Sequence, residues 1–442
     1  MSWKVSNTLR HTGNKAVTVM SLVMAANSVS AYELHSDETT TLNLDITAFT
    51  ALLTSEESYF GREGESTWQE GFIKYGVSGY TALGSGSVYG ALAGISSGTW
   101  GDGDAGGNTD GSERKTSLEE AYVGWKSGDL FNALGKDGLD LSYGRQGFVV
   151  GDGFVLKNDG LSYGAPFGDD YDRGGAYYFA ARQSFQQAAI ARIGGEDGVR
   201  SDIAWIQSDN KGQSELEFTV ANFEYITENS TFGLMYLRGL DVDQNTIFTS
   251  HLEREDMNLY SFRATGDAGI ENLFLSAEYV IEDKENSATA GYGEIGYTLV
   301  DLPWSPTITY RYSRYSKDYD PMFNGFYRGY GTWFQGEVAS NYAGPFNSNT
   351  KIHHLGLKFT PTESLIAGVL YFDFSNVEKD YGLGNTDGRE LDLYLEWFPT
   401  PNYYVSPTVG IYEPEYSLTE GGTQTGNNDI NVYAQITFGA FF

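Results

Sequence analysis

The chain has 442 residues, with 59 Asp plus Glu against 28 Lys plus Arg, a net charge of −31, and no cysteine. An acidic balance of this size argues against a nucleic-acid partner, whose phosphates it would repel, and without cysteine there are neither disulfide staples nor thiolate metal sites. Glycine (55), Tyr (32), Phe (26) and Trp (8) are abundant, yet the mean hydropathy is −0.36, which excludes a bundle of transmembrane helices.

Residues 1–31 read as an export signal. Lys4, Arg10 and Lys15 make a basic start, 16–29 an apolar stretch, and Val29-Ser30-Ala31 a small-residue cleavage site. The expected mature chain, 32–442, is one domain with no repeat and no linker. After the leader, side chains alternate between apolar and polar, which predicts strands over 41–54, 67–83, 87–97, 117–126, 139–147, 174–183, 200–208, 215–226 and 230–239. They continue over 257–265, 272–282, 288–299, 307–315, 351–360, 364–376, 390–398, 403–412 and 428–442. Residues 183–199 are ambiguous, holding either an extra short strand over 188–193 or a bulged extension of a neighbour.

Long connections (55–66, 98–116, 148–173, 240–256, 316–350, 377–389 and 413–427) follow odd-numbered strands, and tight turns mostly follow even ones. The last strand places Ile430, Val432, Ala434, Ile436, Phe438, Ala440 and Phe442 on one face and Asn431, Tyr433, Gln435 and Thr437 on the other. A soluble edge strand can alternate in the same way. Together with the leader and the asymmetric loops, however, the pattern predicts an all-β transmembrane antiparallel barrel of about 18 strands in the cell outer membrane, with long extracellular loops and short periplasmic turns.

Assigning apolar parity to lipid turns Asp45, Glu70, Lys74, Lys126, Arg182, Glu215, Glu217, Arg263, Glu278, Glu282, Glu294, Arg311, His354, Lys358, Asp373, Glu390, Asp392 and Glu396 toward the lumen. Arg145 alternates with Leu139, Leu141 and Tyr143 and so points to lipid unless a bulge at Gly144 turns it inward. The long aromatic loop 316–350, with Arg328, Tyr330 and Trp333, is expected to fold into the mouth as a constriction, or else to pack on neighbouring loops. In the Gly-rich segment 101–113, Asp102, Asp104 and Asp110 are oxygen ligands available to Ca²⁺, or simply a solvated acidic loop; no other cofactor is expected.

Three segments carry a family likeness. Leu141-Ser-Tyr-Gly-Arg-Gln146 continuing to Gly151-Asp-Gly-Phe154, Trp333-Phe-Gln-Gly-Glu-Val338 through Asn341, and Gly388-Arg-Glu-Leu-Asp-Leu393 resemble elements of the alginate export family of outer-membrane barrels. The resemblance implies an 18-stranded barrel and passage of solutes or polymer, without fixing the substrate. An alginate conduit resembles an arginine-lined tube, whereas this lumen holds more acids than bases, with Glu278, Glu282, Glu294, Asp373, Glu390, Asp392 and Glu396 gathered on late strands. That asymmetry predicts a transverse field favouring cations or neutral solutes such as sugars.

The expected function is a porin-like channel for passive passage of small hydrophilic solutes or saccharides, with a polysaccharide exporter as the alternative. A plugged structural barrel and a barrel hydrolase remain as other classes. Only His35, His251, His353 and His354 follow the leader, and no serine sits in a nucleophile motif, so no enzyme is expected. The expected partners are outer-membrane lipid, lipopolysaccharide and the machinery that inserts barrels by reading a terminal aromatic.

Overall fold

The structure, a computed structural model, describes residues 31–325, 335–344, 346–379 and 385–442. Its strands are β1 (Tyr32–Ser36), β2 (Thr40–Ser55), β3 (Ser66–Leu83), β4 (Gly86–Gly101), β5 (Arg114–Lys126), β6 (Leu139–Gln146), β7 (Phe185–Ile193), β8 (Gly198–Gln207), β9 (Glu217–Ile226) and β10 (Ser230–Asp241). The second half adds β11 (Asn258–Gly266), β12 (Leu273–Asp283), β13 (Ala288–Thr298), β14 (Thr307–Tyr315), β15 (Thr350–Thr362), β16 (Leu365–Asn376), β17 (Gly388–Thr400), β18 (Tyr403–Pro414) and β19 (Asn431–Phe441).

From β2 to β19 each strand pairs antiparallel with the next, and β19 returns to β2 from Tyr433↔Ser55 to Phe441↔Thr47, closing an 18-stranded barrel with no open edge. Phe442 continues the seam through mutual backbone bonds with Ile46 of 2.7 and 2.8 Å. Beyond that point β1 pairs with the stretch of β2 from Leu44 to Thr41 that β19 leaves uncovered.

Alternation sets the two surfaces. Leu52, Ile73, Leu92, Val123, Phe262, Ile295, Leu355, Leu393 and Trp397 stand exposed on the outward face, a continuous apolar band that a water-soluble protein does not present. At its lower rim Tyr403 meets Phe442 edge-on at 5.9 Å, and Trp304 meets Phe359 at 6.2 Å, an arrangement that suits an interfacial aromatic belt.

One expected strand is misplaced. Residues 174–183 form turns within a long connection, and the sixth strand of the closed barrel is instead β7, over most of the ambiguous segment 183–199. Within 174–183, Ala176, Tyr178 and Ala181 are buried, packed against the inner wall. The connection after β6 therefore runs the whole way from 147 to 184. It folds inward together with the described part of 316–349. Phe154 packs on Tyr292 and Tyr315 at 5.1 and 5.6 Å, and Phe323 on Phe185 and Phe218 at 5.1 and 5.3 Å. The two loops also bond to each other, Lys157 N to Phe323 O at 2.8 Å and Gly325 N to Gly153 O at 3.0 Å. The upper barrel interior thus holds a true hydrophobic core.

Candidate functional site

That core is what the simplest parity argument misses. Phe372 and Phe374 are buried and face inward, Phe374 packing on Phe346 of the loop with ring centroids 4.3 Å apart. Asp373 lies on the opposite parity. It therefore faces outward, where it pairs with Arg389 at 3.4 Å, and it does not line the lumen. Glu217 likewise points outward and accepts the Trp205 indole N–H at 2.8 Å, while Glu215 stands in the loop before β9, bound to Lys211 at 2.8 Å. An inner wall covered by apolar loops selects apolar residues, so near the mouth hydrophobicity no longer marks the lipid side.

The remaining lumenal candidates do face inward, and they fall into groups. Toward β6–β11 the charges are basic and paired. Gly144 adopts φ +131° and the pairing with β7 slips between Gly144 and Gln146, a bulge that turns Arg145 inward. Arg145 meets Asp209 at 2.5 Å, Arg182 reaches the same carboxylate at 3.4 Å and Glu119 at 3.8 Å, and Arg173 meets Asp159 at 3.2 Å. Burial, then the charge of Arg173, holds the Arg182 guanidinium below its ordinary pKa. Burial opposes ionisation of Asp209, but the Arg145 hydrogen bond and the surrounding arginines outweigh it and hold this carboxyl below the usual range. Arg263 pairs with Glu224 at 2.6 Å, and Arg200 shares that carboxylate from the other side.

Toward β12–β17 the wall supplies carboxylates. Glu282 accepts Asp320 N at 3.1 Å and Lys284 at 3.2 Å; Glu390 accepts Val338 N and Ala339 N at 2.6 and 2.8 Å; Asp392 accepts Glu337 N at 3.2 Å. These three acids are covered by the loop they hold and do not touch the water path. Glu278 accepts Ser261 Oγ at 2.5 Å, Glu294 pairs with Arg311 at 3.5 Å, and Lys358 lies within reach of the charge of Glu396. On β3, Glu70 is buried under the backbone of Tyr177, Tyr178 and Phe179.

Nearer the periplasmic end the inward charges are half-exposed: Asp45, Lys74 paired with Glu120, Lys126 over the Tyr89 ring at 5.4 Å, and Arg192 with Asp140 at 3.7 Å. Arg192 and Arg200 border a recess of about 170 Å³ with Phe148, Val149 and Asp202. Sequence reasoning passed over Arg173, Asp159 and Asp209 because they lie in loops. The signal for them was the Gly174-Gly175 pair beside Arg173, both at positive φ, which breaks any strand there.

The constriction candidates Arg328, Tyr330 and Trp333 fall outside the described residues. In the acidic loop, Asp104 accepts Gly106 N, Asn108 N, Asn108 Nδ2 and Thr109 Oγ1 at 2.7 to 3.1 Å. Burial raises its carboxyl above the ordinary value despite those bonds. Asp110 turns to Ser112 and Asp102 to Thr67 N. Among the described residues no group of three or more His, Cys, Asp or Glu is placed to hold a metal. His251 Nδ1 lies 2.9 Å from Ser214 Oγ, but Ser214 is fully buried, so the pair joins two loops and offers no nucleophile.

No protein-family model matches the chain, and no curated protein sequence is similar to it. Solved structures are similar in shape. OccK5 (OpdH) of Pseudomonas aeruginosa superposes with a TM-score of 0.56 at 11% identity over 90% of this chain and 98% of that one. A BenF-like porin from Pseudomonas fluorescens Pf-5 gives 0.57 at 10% identity over 91% and 98%, and OpdQ of P. aeruginosa 0.53 at 13% over 91% and 98%. The likeness is one of fold, extending over nearly the whole length of those chains. The likeness to the alginate export family is not upheld: the similar structures are OccK, Opd and BenF-like proteins. Runs as short as Gly-Arg-Gln and Arg-Glu-Leu identify no family by themselves.

Proposed function

We propose that the chain is an outer-membrane channel through which small hydrophilic solutes, saccharides included, diffuse passively. The observation that carries this reading is a closed barrel, apolar outside and charged inside, whose two long loops enter the lumen and bond to each other to narrow it. The BenF-like porin of the same fold supports it. Export by the 1–31 leader and insertion through the terminal Phe442 are part of the proposal, as is the absence of catalysis. Because the acids of β12 and β17 are covered and the accessible charges come largely as pairs, the pore should discriminate weakly by charge. Liposome swelling tests this: proteoliposomes swell in pentose and hexose, and reversal potentials in a salt gradient stay small. Swelling no faster than protein-free vesicles would refute the channel, and a large reversal potential would refute weak selectivity.

A further inference from the structure

The outer wall carries a charge arrangement that the channel does not explain. Arg314 on β14 and Lys351 on β15 face each other in register on the outward side, Arg314 exposed and Lys351 half-buried. Directly opposed like charges weaken a cross-strand pair, and among the described residues neither makes an ion pair. The nearest outward acid in register, Asp373, is on β16 opposite His353 and is already held by Arg389. Both cations flank the long 316–349 connection, at the extracellular end of their strands. Just below them Tyr310, Tyr312 and His353 cluster, with Tyr312 and His353 5.0 Å apart and the Tyr310 hydroxyl 2.8 Å from His353 Nδ1, as an interfacial aromatic belt would. The two cations therefore stand at headgroup level.

A recess of about 610 Å³ runs from Arg314 into the apolar band. Its floor is one cross-strand row of small residues, Ala264↔Ala277↔Gly293, ending against Tyr312. A Cβ built on Gly293 meets nothing within 4 Å, so the floor is open to whatever lies outside. A cationic pair above and a hydrocarbon-sized groove below match one kind of molecule, an acylated amphiphile with a phosphate head. At the extracellular end of an outer-membrane barrel that molecule is the lipid A of lipopolysaccharide. We propose that Arg314 and Lys351 chelate a lipid A phosphate and that one of its acyl chains lies in the recess over Gly293. This rests on the outer-membrane reading.

The test uses the full barrel in detergent, hexa-acylated bisphosphoryl lipid A as probe, and native mass spectrometry to count retained lipid. Wild-type protein should retain one lipid A. Reversing both charges (Arg314→Glu with Lys351→Glu) should lower retention at least tenfold, and Gly293→Leu, which fills the recess on an unstrained backbone, should lower it too. Conductance and heat-modifiable migration should stay unchanged in both, since neither position faces the lumen. Arg314→Gln alone serves if the double variant does not fold, with a smaller loss expected. Equal retention by wild type and folded variants would overturn the proposal, as would phosphatidylglycerol binding as well as lipid A. Sucrose-gradient fractionation of wild-type cells separates the two readings. Absence from outer-membrane fractions sinks the localisation, whereas correct fractionation with unaltered lipid A retention sinks only this site.

Discussion

The two sides of the lumen hold their inward loops by opposite chemistry. Toward β5 and β6, wall and loop exchange charged side chains, Arg145 of β6 meeting Asp209 and Glu119 of β5 meeting Arg182, while Arg173 and Asp159 tie the inward loop to itself. Toward β12 and β17 the wall gives carboxylates and the loop gives backbone, with Asp320 N on Glu282, Val338 N and Ala339 N on Glu390, and Glu337 N on Asp392. An inward charge is therefore not the same as a charge that lines water. In a wide barrel many of them anchor the loops that narrow it, since buried polar groups must find partners.

If the loops brace each other, removing one should loosen both. Replacing 148–183 by a short Gly-containing turn removes the backbone hydrogen-bond partners of Phe323 O and Gly325 N, and we expect a several-fold rise in single-channel conductance, comparable to that from excising 317–348. A rise from only one excision would show that a single loop forms the restriction and would break the symmetry.

A smaller effect follows from one ion pair. Arg254 is buried and grips Asp320 through two bonds of 2.6 and 2.8 Å, and it also donates to Gln213 O at 3.0 Å. Arg254→Ala leaves Asp320 uncompensated, which costs about 3–5 kcal/mol of docking. Hydrogen exchange over 316–325 should accelerate by orders of magnitude while the strand amides hold. Unchanged protection there would mean that the aromatic packing alone fixes the loop. On the other side, Glu390→Leu removes an acceptor for two amides, each charge-assisted bond being worth roughly 1.5–3 kcal/mol. Faster exchange confined to Val338, Ala339 and their neighbours is the expected readout.

The smallest effect is a pH dependence. Burial, then the charge of Arg254, pushes the His251 imidazole down to about 3. Folded His251 stays neutral while the released loop takes up a proton below the ordinary histidine value, so loop stability is complete above about pH 6.5 and falls as the pH drops toward 3. Exchange over 242–257 should rise in that window, and His251→Asn should flatten the dependence.

How much of this was legible follows from what each residue faces. The wall could be read because lipid on one side and water on the other impose strict alternation, as in β12 and β17. Arg145 could be read only conditionally, since a bulge at Gly144 decides its direction and no periodicity announces a bulge. Residues 174–183 read as a strand because Tyr177, Tyr178 and Phe179 are strand-forming types, here packed on the inner wall from a loop, and Asp373 was turned the wrong way because Phe372 and Phe374 are apolar toward a loop core that the sequence does not display. Glu282, Glu390 and Asp392 were placed on the correct face, but their burial depends on loops arriving from elsewhere in the chain. The cross-strand neighbours Arg314 and Lys351 went unnoticed because their apposition depends on register, which a single strand's pattern does not reveal.

Single-channel recording in planar bilayers tests the central claim most directly. Purified protein that is heat-modifiable on gels should insert in discrete, ohmic steps of uniform conductance, and those steps should enlarge when the inward loops are excised. Folded barrel that gives no steps, with loops intact or removed, would contradict a pore narrowed by its own loops.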